Sequence, residues 1–357
     1  MNDYKIILGI ETSCDETAAA VLKKESDNIV VLSSVIASSA EIQAKFGGII
    51  PEQAAREQVK AMIPVLKEAL NQAFPSEPLK NQIQQIDAIA VTYGPGLIGS
   101  LLIGVETAKT LALAWNKPLL PINHLIGHYY ANWIYQSSAI SHQLSARSIP
   151  SFPCIGLLVS GGHTDLVLFK NHNNYLYIGG TRDDAAGECF DKCARLLGYP
   201  YPGGPKISQL AKEGNPKKFT LPLPMSNSHD FDFSFSGLKT AFLNLVKEKK
   251  IENGTQEAKD LCATLENTIV KSLVRKTLKA AQDNNIKTII VGGGVSANQK
   301  LREELQLNAN NLPLPTAIHF PELKYCGDNA AMIAAAAFFS KPIDSVITIQ
   351  ANPNLSF

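Results

Sequence analysis

Two stretches of this chain follow the same order of elements: three strands, a helix, a strand, a helix and a strand. That repetition constrains the fold more than any other feature. In the first half, Lys5–Ile10, Ala18–Lys23 and Ile29–Ser38 are rich in β-branched and small apolar residues and are separated by polar turns, which predicts three strands. Pro51 opens a helical pattern with Ala55, Val59, Met62, Ile63, Leu66 and Leu70 at helical spacing, and Pro64 is expected to kink or divide that helix. Ile86–Val91 predicts a strand that Gly94-Pro95-Gly96 breaks, and Leu97–Trp115, apolar on almost every face, predicts a buried helix. Lys117–Ile122 predicts a further strand and His124 opens a helix. The second half repeats the pattern, with strands at Cys154–Ser160, Asp165–Lys170 and Tyr175–Gly180 and a helix at Ala185–Leu197. A long amphipathic helix at Ala258–Gln282, a strand at Lys287–Val291, a helix at Ser296–Leu307 and a strand at Thr316–Phe320 complete it. Residues 200–205 and 214–233 read as irregular insertions, and Asn329–Phe339 is an Ala-rich helix.

This duplication predicts an α/β fold of two mixed-sheet subdomains with flanking helices, the actin-like layout shared by actin, sugar kinases and heat-shock proteins. In that layout a nucleotide cleft lies between the halves, where small-molecule sites concentrate. The expected boundaries are an N-terminal subdomain at 1–136, a serine-rich linker at 137–151 and a C-terminal subdomain at 152–357. The last helix, about 326–340, is expected to pack back on the N-terminal half.

Composition narrows the functional classes. The 357 residues carry 33 Lys+Arg against 32 Asp+Glu, a formal net charge of +1. A protein that grips nucleic acid by bulk electrostatics shows a strong basic excess, so any nucleic-acid contact here is local or shared with a partner. The six cysteines form no CxxC pair, and the first apolar run ends at Glu11, too early for a signal peptide. Uncharged stretches such as Val91–Val105 contain Gly and Pro and fall short of a membrane span. A cytoplasmic protein with reduced thiols and no membrane association is expected.

Four segments carry chemistry. Gly9 to Thr17 forms the turn between the first two strands, and its Glu11, Asp15 and Glu16 suit either a cation or proton acceptance, or simply a solvated turn. Leu158-Val159-Ser160-Gly161-Gly162-His163-Thr164 occupies the equivalent place in the second half. Its two glycines let backbone approach a phosphate, or merely make a tight hairpin. Val291 to Asn298 runs from a strand through three glycines into a helix, with Ser296 as the expected N-cap and Asn298 able to bond a nucleotide. The chain has no GxxxxGK[ST], which excludes a P-loop. His124 and His128, four apart, share a helix face and suit one metal ion, or equally make ordinary polar contacts. A zinc peptidase needs Glu after the first His, where Leu125 stands. Asp328 offers a carboxylate at the start of the Ala-rich helix, and two His with one carboxylate is the pattern of catalytic iron(II) or zinc. Asp183 to Lys192, Tyr201 to Pro205 (a rigid turn) and Phe231 to Lys239 are also dense in polar residues. Helix capping by the acids and core packing by the aromatics are the plain readings of these.

The strings GIETSCDET, YGPGLIGSLL, HLIGH, LLVSGGHTDL, DDAAGECFDK, YPGGP, DFSFSGLKT, GGGVSAN and GDNAAMIA follow one another over nearly the whole chain. In that order they resemble the bacterial tRNA adenosine threonylcarbamoyltransferase family, once described as glycoprotein endopeptidases. The resemblance implies transfer of a threonylcarbamoyl group from threonylcarbamoyl-AMP to the exocyclic amine of adenosine 37, in tRNAs reading codons that begin with A, releasing AMP. It implies His124, His128 and Asp328 as ligands of one divalent metal, Fe(2+) favoured and Zn(2+) possible. It implies Leu158, Val159, Ser160, Gly161, Gly162, Asp191, Gly204 and Asn298 around the adenylate, and Glu11, Asp15, Glu16 and His163 as functionally sensitive positions. It also implies partner proteins, an inactive paralogue-like subunit and a P-loop ATPase subunit.

Many relatives have Glu between the two histidines where this chain has Ile126. Metal binding is expected to survive that change, while any role of the carboxylate towards substrate is lost. The rival on the same fold is an ATP-dependent small-metabolite kinase, which works through magnesium and has no need of a histidine pair. The net charge of +1 then becomes an expectation: alone, this chain binds tRNA weakly, and partners supply much of the grip.

Overall fold

The computed structural model describes residues 4–39, 42–43, 48–135 and 149–357. The stretch read as a linker lies almost wholly outside the described residues. Strands β1 (Ile6–Glu11), β2 (Glu16–Glu25) and β3 (Asn28–Ser38) form an antiparallel meander. Helices α1 (Pro51–Ala73) and α2 (Leu79–Gln85), strand β4 (Ala88–Gly94), helix α3 (Ile98–Trp115), strand β5 (Leu119–Asn123) and helix α4 (His124–Tyr130) follow. In the sheet β4 pairs parallel to β1 and β5 parallel to β4, giving the order β3-β2-β1-β4-β5.

The pattern recurs in β6 (Cys154–Val159), β7 (Thr164–Asn171), β8 (Asn174–Gly180), α5 (Ala186–Leu196), α6 (Gly203–Ala211), α7 (Ser236–Lys249), α8 (Gln256–Asp283), β9 (Thr288–Gly292), α9 (Gln299–Ala309) and β10 (Ala317–His319). The second sheet, β8-β7-β6-β9-β10, matches the first strand for strand. This is the duplicated actin-like fold expected from the element order. The last helix is α10 (Ala330–Ala337). By its contacts the chain divides into one compact unit of Met1–Ile149 with Pro321–Phe357, and another of Pro150–Phe320.

In the first unit, the alternation of β1 sends Leu8 and Ile10 into a core shared with Met62 and Leu66 of α1 and Val105 and Ala108 of α3. The other face of β1 meets α10, whose eight residues are all buried. Small residues make that approach possible: a Cβ on Gly9 would stand 2.5 Å from the Ala330 carbonyl oxygen. In the second unit, Ile155, Leu157 and Val159 of β6 and Ile289 and Val291 of β9 share one core with α5, α7, α8 and α9.

Four expectations about elements need correction. Pro64 does not divide α1, which runs unbroken through it. Proline removes only the hydrogen bond to the residue four back, here exposed Lys60, while Met62, Val65 and Leu66 anchor the helix on either side. On that helix Val59 and Ile63 are 60% and 52% exposed, and the buried stripe instead takes in Gln58. Helix α3 is buried along one face only; Leu102 and Leu113 are 43% and 61% exposed. It is the one described helix long and apolar enough to cross a membrane by length and composition. The Gly203-Gly204-Pro205 segment, expected as a turn, is the first turn of α6, where proline is tolerated because its missing N–H has no intrahelical partner.

Burial of an acid on β7 makes a testable statement about stability. Asp165 is buried and its carboxyl is pushed up from 3.8 to about 6, with the Tyr177 hydroxyl 3.5 Å away acting weakly in the opposite direction. A raised carboxyl means the folded state holds the proton more tightly, so stability falls as pH rises from about 4 to 6 and is level above that. Asp165→Asn, which keeps an acceptor for Tyr177, is expected to be more stable than the parent at pH 7 by up to about 2 kcal/mol. Denaturant titrations at several pH values check this: the gap should close below pH 4, and a gap independent of pH would refute it.

Candidate functional site

The histidine pair sits at the start of α4, which begins where β5 ends. Asn123 caps that helix, accepting from the Leu125 amide at 2.8 Å and donating to the Ser356 carbonyl at 3.0 Å. Gly127 lets α4 lie close to α10, since a Cβ there would stand 2.6 Å from Ile333 Cδ1. At the start of α10, Asn329 accepts from the Met332 amide at 2.9 Å and donates to the Gly327 carbonyl at 2.7 Å. That fixes the turn carrying Asp328.

The outcome is a convergence of three ligand-type atoms. His124 Nε2 and His128 Nε2 lie 3.6 Å and 3.2 Å from Asp328 Oδ1, and one ligand atom from each of the three residues falls within 4.8 Å of the others. The imidazoles are nearly perpendicular, with centroids 4.7 Å apart. Ile126 is two residues from each histidine and so points away from their shared face. Among the described residues, this is the one such cluster of His, Cys, Asp and Glu.

Glu11 completes the arrangement from β1. Fully buried, it meets His124 Nδ1 at 3.0 Å through Oε2, and Thr92 donates its hydroxyl to the same oxygen at 2.5 Å. Its Oε1 accepts from the Ser13 amide at 2.5 Å. A carboxylate on Nδ1 holds the Nδ1–H tautomer and leaves Nε2 facing Asp328, the usual way a metal-binding histidine is oriented. Burial pushes the Glu11 carboxyl up, but the His124 imidazole outweighs it and the net shift is downward. For His124 burial acts downward, and the carboxylates of Glu11 and Asp328 reverse it, raising the imidazole to about 9. Burial dominates at His128 and lowers it. Its Nδ1 is buried without a hydrogen-bond partner among the described residues.

The β1–β2 turn stands beside this cluster. Gln58 of α1 donates to the carbonyls of Cys14 and Glu16 at 3.1 Å and 2.8 Å, and Ser100 of α3 donates to Cys14 at 2.8 Å. Burial first, then the charges of Asp328 and Asp15, push the Glu16 carboxyl up to about 9, and its Oε1 accepts from the Ser38 hydroxyl at 3.3 Å. Asp15 is buried, 7% exposed. Among Glu11, Asp15 and Glu16, the first is thus committed to His124. His163 belongs to the second unit; its amide donates to Ser160 Oγ at 3.1 Å.

In the second unit the residues expected around an adenylate lie on or next to β6, α5, α6 and α9. Leu158 and Val159 are fully buried in β6. Ser160, Gly161, Gly162 and His163 of that segment reach the surface, and the two glycines face open space. A Cβ on Gly187, at the start of α5, would stand 2.5 Å from the Ser160 carbonyl oxygen, which explains that glycine. Gly293 adopts φ 88°, and a Cβ there would meet the Val159 carbonyl at 2.4 Å. One of the three consecutive glycines is therefore required by the chain crossing itself, while Gly294 is exposed with nothing near its Cβ position. Asp191 Oδ1 accepts from the amides of Gly203 and Gly204 at 2.7 Å and 3.0 Å, capping α6.

Ser296 is not the N-cap expected from the sequence. It lies in a short 3-10 turn, and Asn298 caps α9 by accepting from the Leu301 amide at 2.8 Å. Of the acids at Asp183-Asp184, Asp183 caps a helix, but a different one, while Asp184 meets Lys192 Nζ at 2.7 Å. Asp183 accepts from the Phe235 and Ser236 amides at 2.7 Å and 3.1 Å, at the start of α7. Phe233 and Phe235 are fully buried, as core residues.

The family sequence model of tRNA N6-adenosine threonylcarbamoyltransferase (TsaD) matches residues 30–335. A curated protein of that name from Thermosipho africanus is 45% identical over 98% of this chain and 99% of its own length. Another, from Geobacillus kaustophilus, is 44% identical over 99% of this chain and 98% of its own. Among solved structures, HypF of T. kodakarensis superposes with a TM-score of 0.58 at 13% identity, covering 94% of this chain. The chain spans about half of that protein (47%), so the likeness concerns the fold alone. On the sequence matches, the chain belongs to the tRNA N6-adenosine threonylcarbamoyltransferase family of transferases.

Proposed function

We propose that this protein transfers the threonylcarbamoyl group of threonylcarbamoyl-AMP to the exocyclic amine of adenosine 37 in tRNAs reading codons that begin with A, releasing AMP. The observation that carries this reading is the convergence of His124, His128 and Asp328, oriented by Glu11, in a chain of this family. Two imidazoles and one carboxylate suit iron(II), with zinc as the second choice. When bound, the ion supplies a Lewis acid and a template for phosphate or carbamoyl oxygens.

The donor is already activated as a mixed anhydride, so no covalent nucleophile is needed and catalysis is chiefly positioning. Ser160 to Gly162 and Gly294 offer open backbone and hydroxyl donors for the phosphate and nucleoside, beside Gly204 and Asn298. The net charge of +1 fits a catalytic subunit whose partners, an inactive paralogue-like subunit and a P-loop ATPase, supply much of the tRNA grip. Exposed Lys247, Lys249 and Lys250 and the Lys217-Lys218 pair are this chain's own candidates for phosphate contact. A cytoplasmic location follows from the tRNA substrate.

The rival is an ATP-dependent small-metabolite kinase. Magnesium prefers oxygen ligands, and the imidazole pair disfavours it. The purified protein, incubated with threonylcarbamoyl-AMP, unmodified tRNA and partner subunits, is expected to form N6-threonylcarbamoyladenosine and AMP in equal amounts. Absence of the modified nucleoside, with phosphorylation of a small metabolite from ATP, would overturn the reading.

A further inference from the structure

We propose that Glu266 and Ser208 are positioning residues that lock the side-chain amide of Asn298, so that it presents only a hydrogen-bond acceptor to the bound nucleotide. The proposal rests on the reading that Asn298 lines the adenylate. Glu266, on α8, is a buried carboxylate that the transfer chemistry does not otherwise use, 7% exposed. Asn298 Nδ2 donates to Glu266 Oε1 at 2.7 Å and to Ser208 Oγ, on α6, at 2.9 Å. Its Oδ1 accepts from the Leu301 amide at 2.8 Å.

These three bonds fix the amide's orientation. Leu301 can only donate, so it selects Oδ1, and the carboxylate can only accept, so it selects Nδ2. Both Nδ2 protons are then used, and what remains is the second lone pair of Oδ1. A ligand group meeting Asn298 must therefore be a donor, such as a ribose hydroxyl or an exocyclic amine. The same α6 carries Gly203 and Gly204 on the Asp191 carboxylate, so Ser208 ties Asn298 to the element that those residues cap. Without Glu266 the amide loses its strongest partner, because bonds to a charged acceptor are about twice as strong as neutral ones.

The test uses the full chain and AMP as probe. Calorimetric titration with AMP is expected to show about tenfold weaker binding for Glu266→Ala, the order expected for losing a charge-assisted hydrogen bond. Glu266→Gln, which still offers Oε1 to Nδ2 as a neutral acceptor, is expected to stay within about threefold of the parent, since it keeps about half of that bond. Turnover with threonylcarbamoyl-AMP should show the Ala variant's defect in KM with kcat held, a split that general loss of folded protein would not give. Should Glu266→Ala fail to fold, Ser208→Ala at the half-buried end reads the same lock, with weaker binding of AMP expected. Parent-like AMP affinity in Glu266→Ala, or in a Ser208→Ala that replaces it, overturns the lock while leaving the adenylate reading intact. An equal defect in Glu266→Gln and Glu266→Ala also overturns it. No AMP binding by the parent overturns the adenylate reading itself, and the lock with it.

Discussion

Replacing His128 by alanine is expected to strip the protein of its divalent metal and, with it, of threonylcarbamoyl transfer. His128 is 2% exposed, and its Nε2 stands 3.2 Å from Asp328 Oδ1 on the face shared with His124. Removing one of three ligands leaves two, too few for a catalytic site of this kind. Losing a mere outer partner costs roughly 10–100-fold in metal affinity, and a ligand costs more. Elemental analysis of the purified variant should find metal at background level while the parent retains it. Asp328→Ala should behave alike, since its carboxylate is the third arm. Unchanged metal content in either variant would refute the ligand assignment.

Glu11→Ala should be the most destabilising single change near this site. It leaves three buried donors, His124 Nδ1, the Ser13 amide and the Thr92 hydroxyl, without their acceptor. Breaking a buried charged pair by deleting one partner costs about 3–5 kcal/mol, a large part of a stability of roughly 5–15 kcal/mol. Little folded protein is therefore expected from expression. Glu11→Gln separates stability from chemistry, because it keeps the shape. If its amide donates to His124 Nδ1, the imidazole proton moves to Nε2 and blocks the nitrogen that faces Asp328. That variant should fold and still lose metal.

The same pair sets a pH dependence in the metal-free protein. The His124 imidazole is raised from 6.5 to about 9, so its contribution to stability is complete below 6.5 and is lost as pH rises through 9. Melting temperature of the metal-free parent should fall over that interval, and Glu11→Gln should show little of this fall. A flat profile in the parent would argue against the Glu11–His124 pair.

Much of the architecture is legible in the sequence because periodicity carries it. β-Branched runs and turn residues locate the strands, and the repeated order identifies the actin-like duplication. Elements set by tertiary contact are less legible. Gly203–Ala211 opens with Gly-Gly-Pro, yet the Asp191 carboxylate on its first amides makes it a helix. The outward faces of α1 and α3 carry Val59, Ile63, Leu102 and Leu113, so hydrophobicity alone does not distinguish buried from exposed positions. In the candidate site, spacing points to His124 and His128, and the Gly-Asp-Asn turn to Asp328. Glu11 is legible as an acid at a strand end, but its attachment to His124 spans 113 residues and has no local signature. Gln58, Ser208 and Glu266 also escape sequence reading, for they act on chain segments 32 to 90 residues away. The one hint is a polar residue standing on an apolar helix stripe, as Gln58 does on α1 and Glu266 on α8.

The most direct measurement is threonylcarbamoyl transfer before and after removal of the metal. The protein is treated with a strong chelator, desalted, and assayed with threonylcarbamoyl-AMP, unmodified tRNA and partner subunits, and the tRNA nucleosides are quantified by mass spectrometry. The predicted result is loss of N6-threonylcarbamoyladenosine in the stripped protein, its return on adding iron(II) or zinc, and no return in His128→Ala. Full transfer by protein with no detectable metal, or by His128→Ala, would contradict the assignment of His124, His128 and Asp328 as the working centre.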